Sequence, residues 1–459
     1  METFWGSDVW GLFSLMAVLL ISLLAANALK RSVNFLKHSL IPTSVLAGLL
    51  LLAFAGIWDA AFPKSFFETN IFGGRGYAML EIITYHALAL GFIASSLKGG
   101  KGKITRRRAV EIFNTGVTTV ATYLLQAVFG LGITLIASYV LSHFFAAAGV
   151  LLPFGYGQGT GQAMNYGNIY ELEHGFVGGK SFGLTVAALG FLSASIGGVV
   201  HLNFLRHRKK TLAEFDEDSR KTEEAVEQEN EIPMQGSVDK LTVQVALVSV
   251  AYLLAYLLMF ILGKLFPGMK ATIYGFNFLL GVLAAVLVKG LLALFKRVGW
   301  MKKEHLNNFL LTRVSNICFD IMVVAGIAAI RFGLLEDYWG VILILGVVGL
   351  VITYVYNRIV AKVLFPRYSE QQFLMMYGML TGTASTGTIL LREIDGDFKT
   401  PAADNMVYQN LPAIALGFPM MLLATLAPKK PALTMVILVV FFLALQVVLF
   451  RSFLFRKKA

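Results

Sequence analysis

Residues 155–167 read GYGQGTGQAMNYG, with glycine at every second position from Gly155 to Gly161. Between and after them stand Gln158, Thr160, Gln162 and Asn165, which donate hydrogen bonds without carrying a charge. A second stretch, YGMLTGTASTGT from Tyr377, supplies Thr381, Thr383, Ser385, Thr386 and Thr388. Both begin Y-G-x-x-T-G-x-A, matching Tyr156, Gly157, Thr160, Gly161 and Ala163 to Tyr377, Gly378, Thr381, Gly382 and Ala384. Neutral hydroxyls and amides on a glycine-rich backbone suit a zwitterion or a carboxylate, since glycine lets the main chain approach a ligand. Gly161 and Gly382 therefore join Gln158, Thr160, Gln162, Asn165, Thr381, Thr383, Ser385 and Thr386 as substrate-binding candidates. The rival reading is that the threonines merely satisfy carbonyls of broken helices. A phosphate loop does not fit, because the spacing is not G-x-x-x-x-G-K-[ST] and no strand precedes it.

These stretches lie in a chain that is 57% hydrophobic and 14% charged, with mean hydropathy +0.70. Soluble domains carry about 25% charge, so this composition predicts an all-α polytopic membrane protein. Apolar runs near the ~20 residues that cross a bilayer recur along it. We count eleven: 9–29, 39–57, 77–97, 116–141, 181–205, 241–263, 272–295, 308–330, 339–360, 405–427 and 433–450. With the N-terminus outside, the cytoplasmic basic clusters (30–37, 98–108, 206–210, 296–303, 358–367 and 451–458) hold 24 Lys and Arg, against Lys64, Arg75, Lys264, Lys270, Arg331, Lys429 and Lys430 opposite, as the positive-inside rule expects. The net charge of +12 belongs to that asymmetry and not to nucleic acid. The lone Cys318 excludes an internal disulfide and argues against a thiolate metal site. The first span has no charged leader or small-residue cleavage site and reads as retained.

Each glycine-rich stretch follows the fourth span of a half and precedes the fifth. Five is odd, so the halves read as inverted repeats, an arrangement of many secondary transporters. The expected organisation is a first repeat over 1–205, a charged cytoplasmic linker over 206–240, a second repeat over 241–430, and an extra helix with a basic cytoplasmic tail over 431–459. The linker reads as a solvated connection, with regulation as the alternative. Too polar for a span and too apolar for a surface loop, the stretches at about 146–171 and 371–395 read as re-entrant hairpins whose tips meet near the midplane. Irregular backbone survives at that depth only in protein or beside a watery cavity.

In the eighth span Arg313, Asn316 and Asp320 share one helix face. Asp320 lies twelve residues, ~18 Å, inside the span, where a carboxylate is functional by default. Hard cations prefer oxygen, so Asn316 and Asp320 are sodium candidates alongside tip carbonyls such as that of Gly159. Asn410 joins them, because Pro412 frees a carbonyl there. A structural pair with Arg313, or a proton site, is the rival reading of Asp320. His86, with Glu81 and Tyr85 in the third span, reads as a core histidine. Arg392 resembles a carboxylate clamp, but nine helical residues from a tip near Thr383 rise ~13 Å and return it to the cytoplasmic face.

With its paired hairpins, its early Ile41-Pro42 span and IASSLKGGKGK closing the third span, the chain resembles the bacterial glutamate:sodium symporter family over roughly Val9 to Ala427. The resemblance implies sodium-coupled glutamate uptake by an elevator mechanism at a bacterial inner membrane. It also implies a homodimer with scaffold and transport domains, sodium as coupling ion and no cofactor. Gln158 and Gln162 stand where the family's first hairpin often has other residues, and the eleventh span and the linker exceed a minimal member. Another carboxylate or amino acid, a proton in place of sodium, a channel or exporter, and an intramembrane hydrolase remain the alternatives. The hydrolase lacks a Ser/His or paired-Asp constellation at common depth.

Overall fold

The computed structural model describes residues 6–99, 105–142, 144–207, 231–234, 237–396 and 398–451. These hold 17 α-helices and no β-strand beyond one isolated bridge, Glu231 to Glu304. In chain order the first seven are α1 (Ser7–Ser32), α2 (Asn34–His38), α3 (Thr43–Ala61), α4 (Gly76–Leu97), α5 (Arg106–Val140), α6 (Leu151–His174) and α7 (Gly179–His207). Then come α8 (Lys240–Leu265), α9 (Lys270–Gly275), α10 (Asn277–Val298), α11 (Asn308–Ala328) and α12 (Trp339–Leu364). The last five are α13 (Ser369–Thr381), α14 (Ala384–Arg392), α15 (Ala402–Tyr408), α16 (Asn410–Leu426) and α17 (Pro431–Leu449).

Among the described residues ten helices are long and apolar enough to cross a membrane, and the pair α15–α16, bent by 54°, raises the number to as many as eleven. Each expected span falls on one of them. The second starts at Thr43, four residues later than the hydropathy suggested. Pro42 disfavours helix in the residue before it, and the freed carbonyl of Ile41 accepts from Lys30 Nζ at 2.6 Å. Helix α5, at 35 residues, is ~52 Å long and outruns the ~30 Å hydrocarbon core. Thr105 caps its N-terminus by accepting from the Arg108 amide. Most of the charged linker (208–230 and 235–236) and the basic tail (452–459) lie outside the described residues.

The chain divides into two compact units, and each draws on both halves of the sequence. The first takes Met1–Leu20, Phe62–Lys103 and Lys221–Gly326. Its core joins α4, α8, α10 and α11 through residues such as Ile93, Leu97, Ala251, Val288 and Leu311. Hydrogen bonds cross-link the same helices: Ser315 Oγ donates to the Gly91 carbonyl at 2.9 Å, and Tyr85 OH to that of Tyr274 at 2.7 Å. The end of the linker is fastened here, where buried Lys240 meets Glu231 at 2.8 Å and Asn307 donates to the same carboxylate at 2.6 Å.

The second unit takes Ile21–Ala61, Ile104–Arg220 and Ile327–Ala459. It contains both glycine-rich stretches, and each folds back on itself. In α6 the backbone breaks at Gly159, with φ 79° and ψ −170°, a region essentially confined to glycine. The rings of Phe154 and Tyr166 then stack at 3.9 Å. Twelve residues of continuous helix would hold them ~18 Å apart, so the chain has reversed between them. The second reversal runs through Gly382 and Thr383, between α13 and α14. Its arms touch backbone to backbone, since a Cβ on Gly387 would lie 2.5 Å from the Met375 carbonyl oxygen.

Candidate functional site

The fold-backs give each hairpin an incoming arm that ends at the tip and a returning arm that begins there. Incoming arms present carbonyls with partial negative charge, and returning arms present N–H groups with partial positive charge. One returning arm starts at Thr160. The other is α14, whose N-cap Thr383 accepts from the Thr386 amide. Gly159, Thr160, Gly161, Gln162 and Asn165 are buried in the first tip, and Gln158 is half-buried. In the second, Thr381, Gly382 and Thr386 are buried, Thr383 and Thr388 half-buried, and Ser385 exposed.

Helices α5 and α7 bring the tips together. Gly190 of α7 adjoins both the Thr381 carbonyl oxygen and the Tyr156 ring. Ser193, one turn on, receives the tyrosine of each twin motif: Tyr156 OH lies 2.9 Å from its Oγ, and Tyr377 OH donates to its carbonyl at 2.7 Å. Tyr156 OH also donates to the Gly346 carbonyl at 2.5 Å. From α5, Tyr123 OH donates to the Gly157 carbonyl at 3.0 Å and Gln126 Nε2 to that of Leu380 at 2.9 Å. One carbonyl of each incoming arm is thereby satisfied.

Three features of the tips suit a polar ligand. No Asp, Glu, Lys or Arg occurs in 155–167 or 377–388, so charge would come from whatever binds. Two helix N-termini begin there, a ready setting for carboxylates. Gln162 Nε2 is buried with no hydrogen-bond partner, although its Oε1 accepts from Asn165 at 3.2 Å. A buried donor without an acceptor costs about 1–3 kcal/mol, which an anionic oxygen placed there would recover.

Charge gathers instead at the base of the second hairpin. Glu370 takes a bidentate pair from Arg358 at 2.6 and 2.7 Å, and His201 Nε2 lies 3.0 Å from it. Tyr368 OH donates to Glu111 at 2.9 Å and accepts from Asn405 at 3.1 Å. Burial pushes that phenol up, and the Glu111 carboxylate adds to the effect, so it stays a protonated donor. Arg392 ends α14, exposed, with its guanidinium over the Phe398 ring at 5.3 Å.

The remaining candidates are distributed otherwise. Asn316 and Asp320 belong to α11 in the first unit, and both are exposed in the single chain. Arg313 on the same helix stacks on Phe309 at 4.8 Å. His86 Nδ1 lies 2.6 Å from Tyr252 OH. Asn410 is exposed at the bend between α15 and α16. Among the described residues no three of His, Cys, Asp and Glu come together as a metal cluster. The sequence reading missed Tyr123, Gln126, Ser193, Thr353 and Asn357. Gln126 carried a signal, since a polar amide in the middle of the apolar α5 is costly without a task.

The family model for sodium/glutamate symporters matches residues 11–370. The chain belongs to the sodium/glutamate symporter family. No curated protein matches it. Membership of that family points to a transporter rather than an enzyme, with sodium and glutamate as the substrates that fit. The matched stretch contains the first hairpin and ends at the start of α13, so the second hairpin's tip lies beyond it.

Thr160→Val keeps volume and removes a hydroxyl at the start of a returning arm. It is expected to raise the glutamate constant ~5- to 100-fold, since a hydrogen bond to a charged group contributes roughly 1.5–3 kcal/mol. Thr381 Oγ1 already donates to the Tyr377 carbonyl at 2.6 Å, so Thr381→Val should fall at the low end. Arg392→Lys should leave the constant unchanged. Radiolabelled uptake at saturating sodium reads all three, and loss of binding in Arg392→Lys with normal threonine variants would overturn the tip assignment.

Proposed function

We propose that this chain imports glutamate together with sodium by alternating access of an elevator type. The observation that carries the reading is the approach of two uncharged hairpin tips, each opening a helix N-terminus, in a member of the sodium/glutamate symporter family. Glutamate's carboxylates would take the two N-termini, with Thr160, Gln162, Thr383 and Thr386 donating beside them. Its ammonium would take tip carbonyls. Both hairpins dip into the membrane from opposite sides in this reading, as inverted repeats demand, and the unit that holds them carries the substrate. Asn316, Asp320, Gly159 and Asn410 stay sodium candidates. The 24-to-7 split of Lys and Arg supports an outside N-terminus and a cytoplasmic C-terminus, and we place the chain, as a homodimer, in a bacterial inner membrane.

The test is uptake into proteoliposomes. Glutamate should accumulate above its external concentration with an inward sodium gradient and not with potassium alone. Equal uptake in potassium would remove sodium coupling. Equilibration without accumulation would favour a channel. Concentrative uptake of a different carboxylate would change the substrate and keep the mechanism.

A further inference from the structure

Where α5 crosses α12, buried amides leave oxygens with nothing to bind. Thr122 pairs with Asn357 and Gln126 with Thr353, so four residues forward on α5 match four back on α12, and the two helices run antiparallel. The amide nitrogens are fully committed. Gln126 Nε2 donates to Thr353 Oγ1 at 2.8 Å and to the Leu380 carbonyl at 2.9 Å. Asn357 Nδ2 donates to the Thr353 carbonyl at 2.9 Å and to Thr122 Oγ1 at 3.4 Å. Carbonyls cannot donate, so Leu380 and the Thr353 backbone fix which end of each amide is nitrogen. Gln126 Oε1 and Asn357 Oδ1 are left without a donor, as is Thr119 Oγ1 one turn before Thr122. Thr119 is 1% exposed, and Gln126 and Asn357 are 0% exposed.

We propose that Thr119, Gln126 and Asn357 supply oxygen ligands for the coupling cation, at a site on α5 and α12 beneath the second hairpin tip. The proposal rests on the sodium-coupled reading above. A cation answers several unpartnered acceptors in one buried crossing, and among the described residues no Lys, Arg or donor amide reaches them. Hard cations take oxygen, and divalent ions are held through carboxylates. A wholly neutral set therefore fits a monovalent ion. Gln126 also explains how such an ion would be felt at the substrate site: its oxygen faces the ion while its nitrogen caps Leu380, next to Thr381. Seating the ion fixes the amide, and the amide fixes the incoming arm.

Thr119→Val is the sharpest probe, because Thr119 Oγ1 makes no hydrogen bond that the substitution could break. If the hydroxyl is a structural leftover, valine leaves sodium binding untouched. If it is a ligand, affinity falls. The purified protein is titrated with sodium chloride at constant ionic strength, without glutamate, and its thermal midpoint is followed. Ligand binding to the folded state raises that midpoint, so the curve gives a half-saturating sodium concentration independent of transport. Sodium and not potassium should stabilise the wild type, Thr119→Val should raise the half-saturating concentration at least about tenfold, and Thr119→Ser should restore it. Asn357→Asp, which keeps an oxygen and adds charge, should lower it at least about threefold. A wild-type curve for Thr119→Val and Asn357→Asp would overturn the site, and proteoliposome uptake that still needed sodium would leave the coupled reading standing. A wild type blind to sodium in both assays would overturn both.

Discussion

Gln162→Glu is expected to weaken glutamate binding by at least about 100-fold while the protein still folds and inserts. The Gln162 amide sits in the first turn of a returning arm, fully buried, with Nε2 aimed at no acceptor. Replacing that nitrogen with a second oxygen turns a waiting donor into a negative charge facing a negative substrate. Two unit charges 4 Å apart interact by about 4 kcal/mol at the effective dielectric of a partly wet site, and 1.4 kcal/mol is tenfold. Gln162→Met should cost less, ~10- to 100-fold, since it removes one charge-assisted hydrogen bond and adds no repulsion. Uptake constants measured at saturating sodium separate the two variants. Wild-type affinity in Gln162→Glu would mean that no carboxylate approaches this arm.

Gly159→Ala should damage transport strongly. At φ 79° and ψ −170° an L residue is strained by about 1–3 kcal/mol or more, and the strain falls on the residue that opens the first returning arm. The thermal midpoint should drop, and uptake per folded molecule should fall at least about tenfold. Gly299 is the control. Its φ of 85° and ψ of 4° are left-handed helical, a region other residues tolerate better, and a Cβ there would meet nothing within 4 Å. Uptake in Gly299→Ala should match the wild type. Equal behaviour of the two variants would show that the Gly159 break does not shape the site.

Much of this architecture was legible because it is written locally. Apolar runs mark spans wherever they fall, and glycine with threonine in a twin motif marks two breaks before any contact is known. What escaped was partnership over distance. Tyr156 and Tyr377 were visible as matched letters, but nothing in the sequence says that both hydroxyls end on Ser193 of α7. Gln126 stood out as a lone amide in an oily helix, yet its hold on Leu380 joins residues 254 apart. Asp320 drew attention by depth, while its membership of the first unit depends on how the two halves interleave. The shift of α3 to Thr43 was readable in Pro42, and hydropathy averages concealed it.

The hydrogen bonds at Ser193 set the stagger of the two hairpins as a dowel sets two planks. For either hairpin to slide one turn along α7, a buried phenol would have to let go of serine, and an orphaned polar group in such an interior costs several kcal/mol. Small drifts are thus discouraged at both tips by the same residue. The spacing between Thr160 and Thr383 then follows α7, and a ligand that reached both tips would be measured against that length before its chemistry counted.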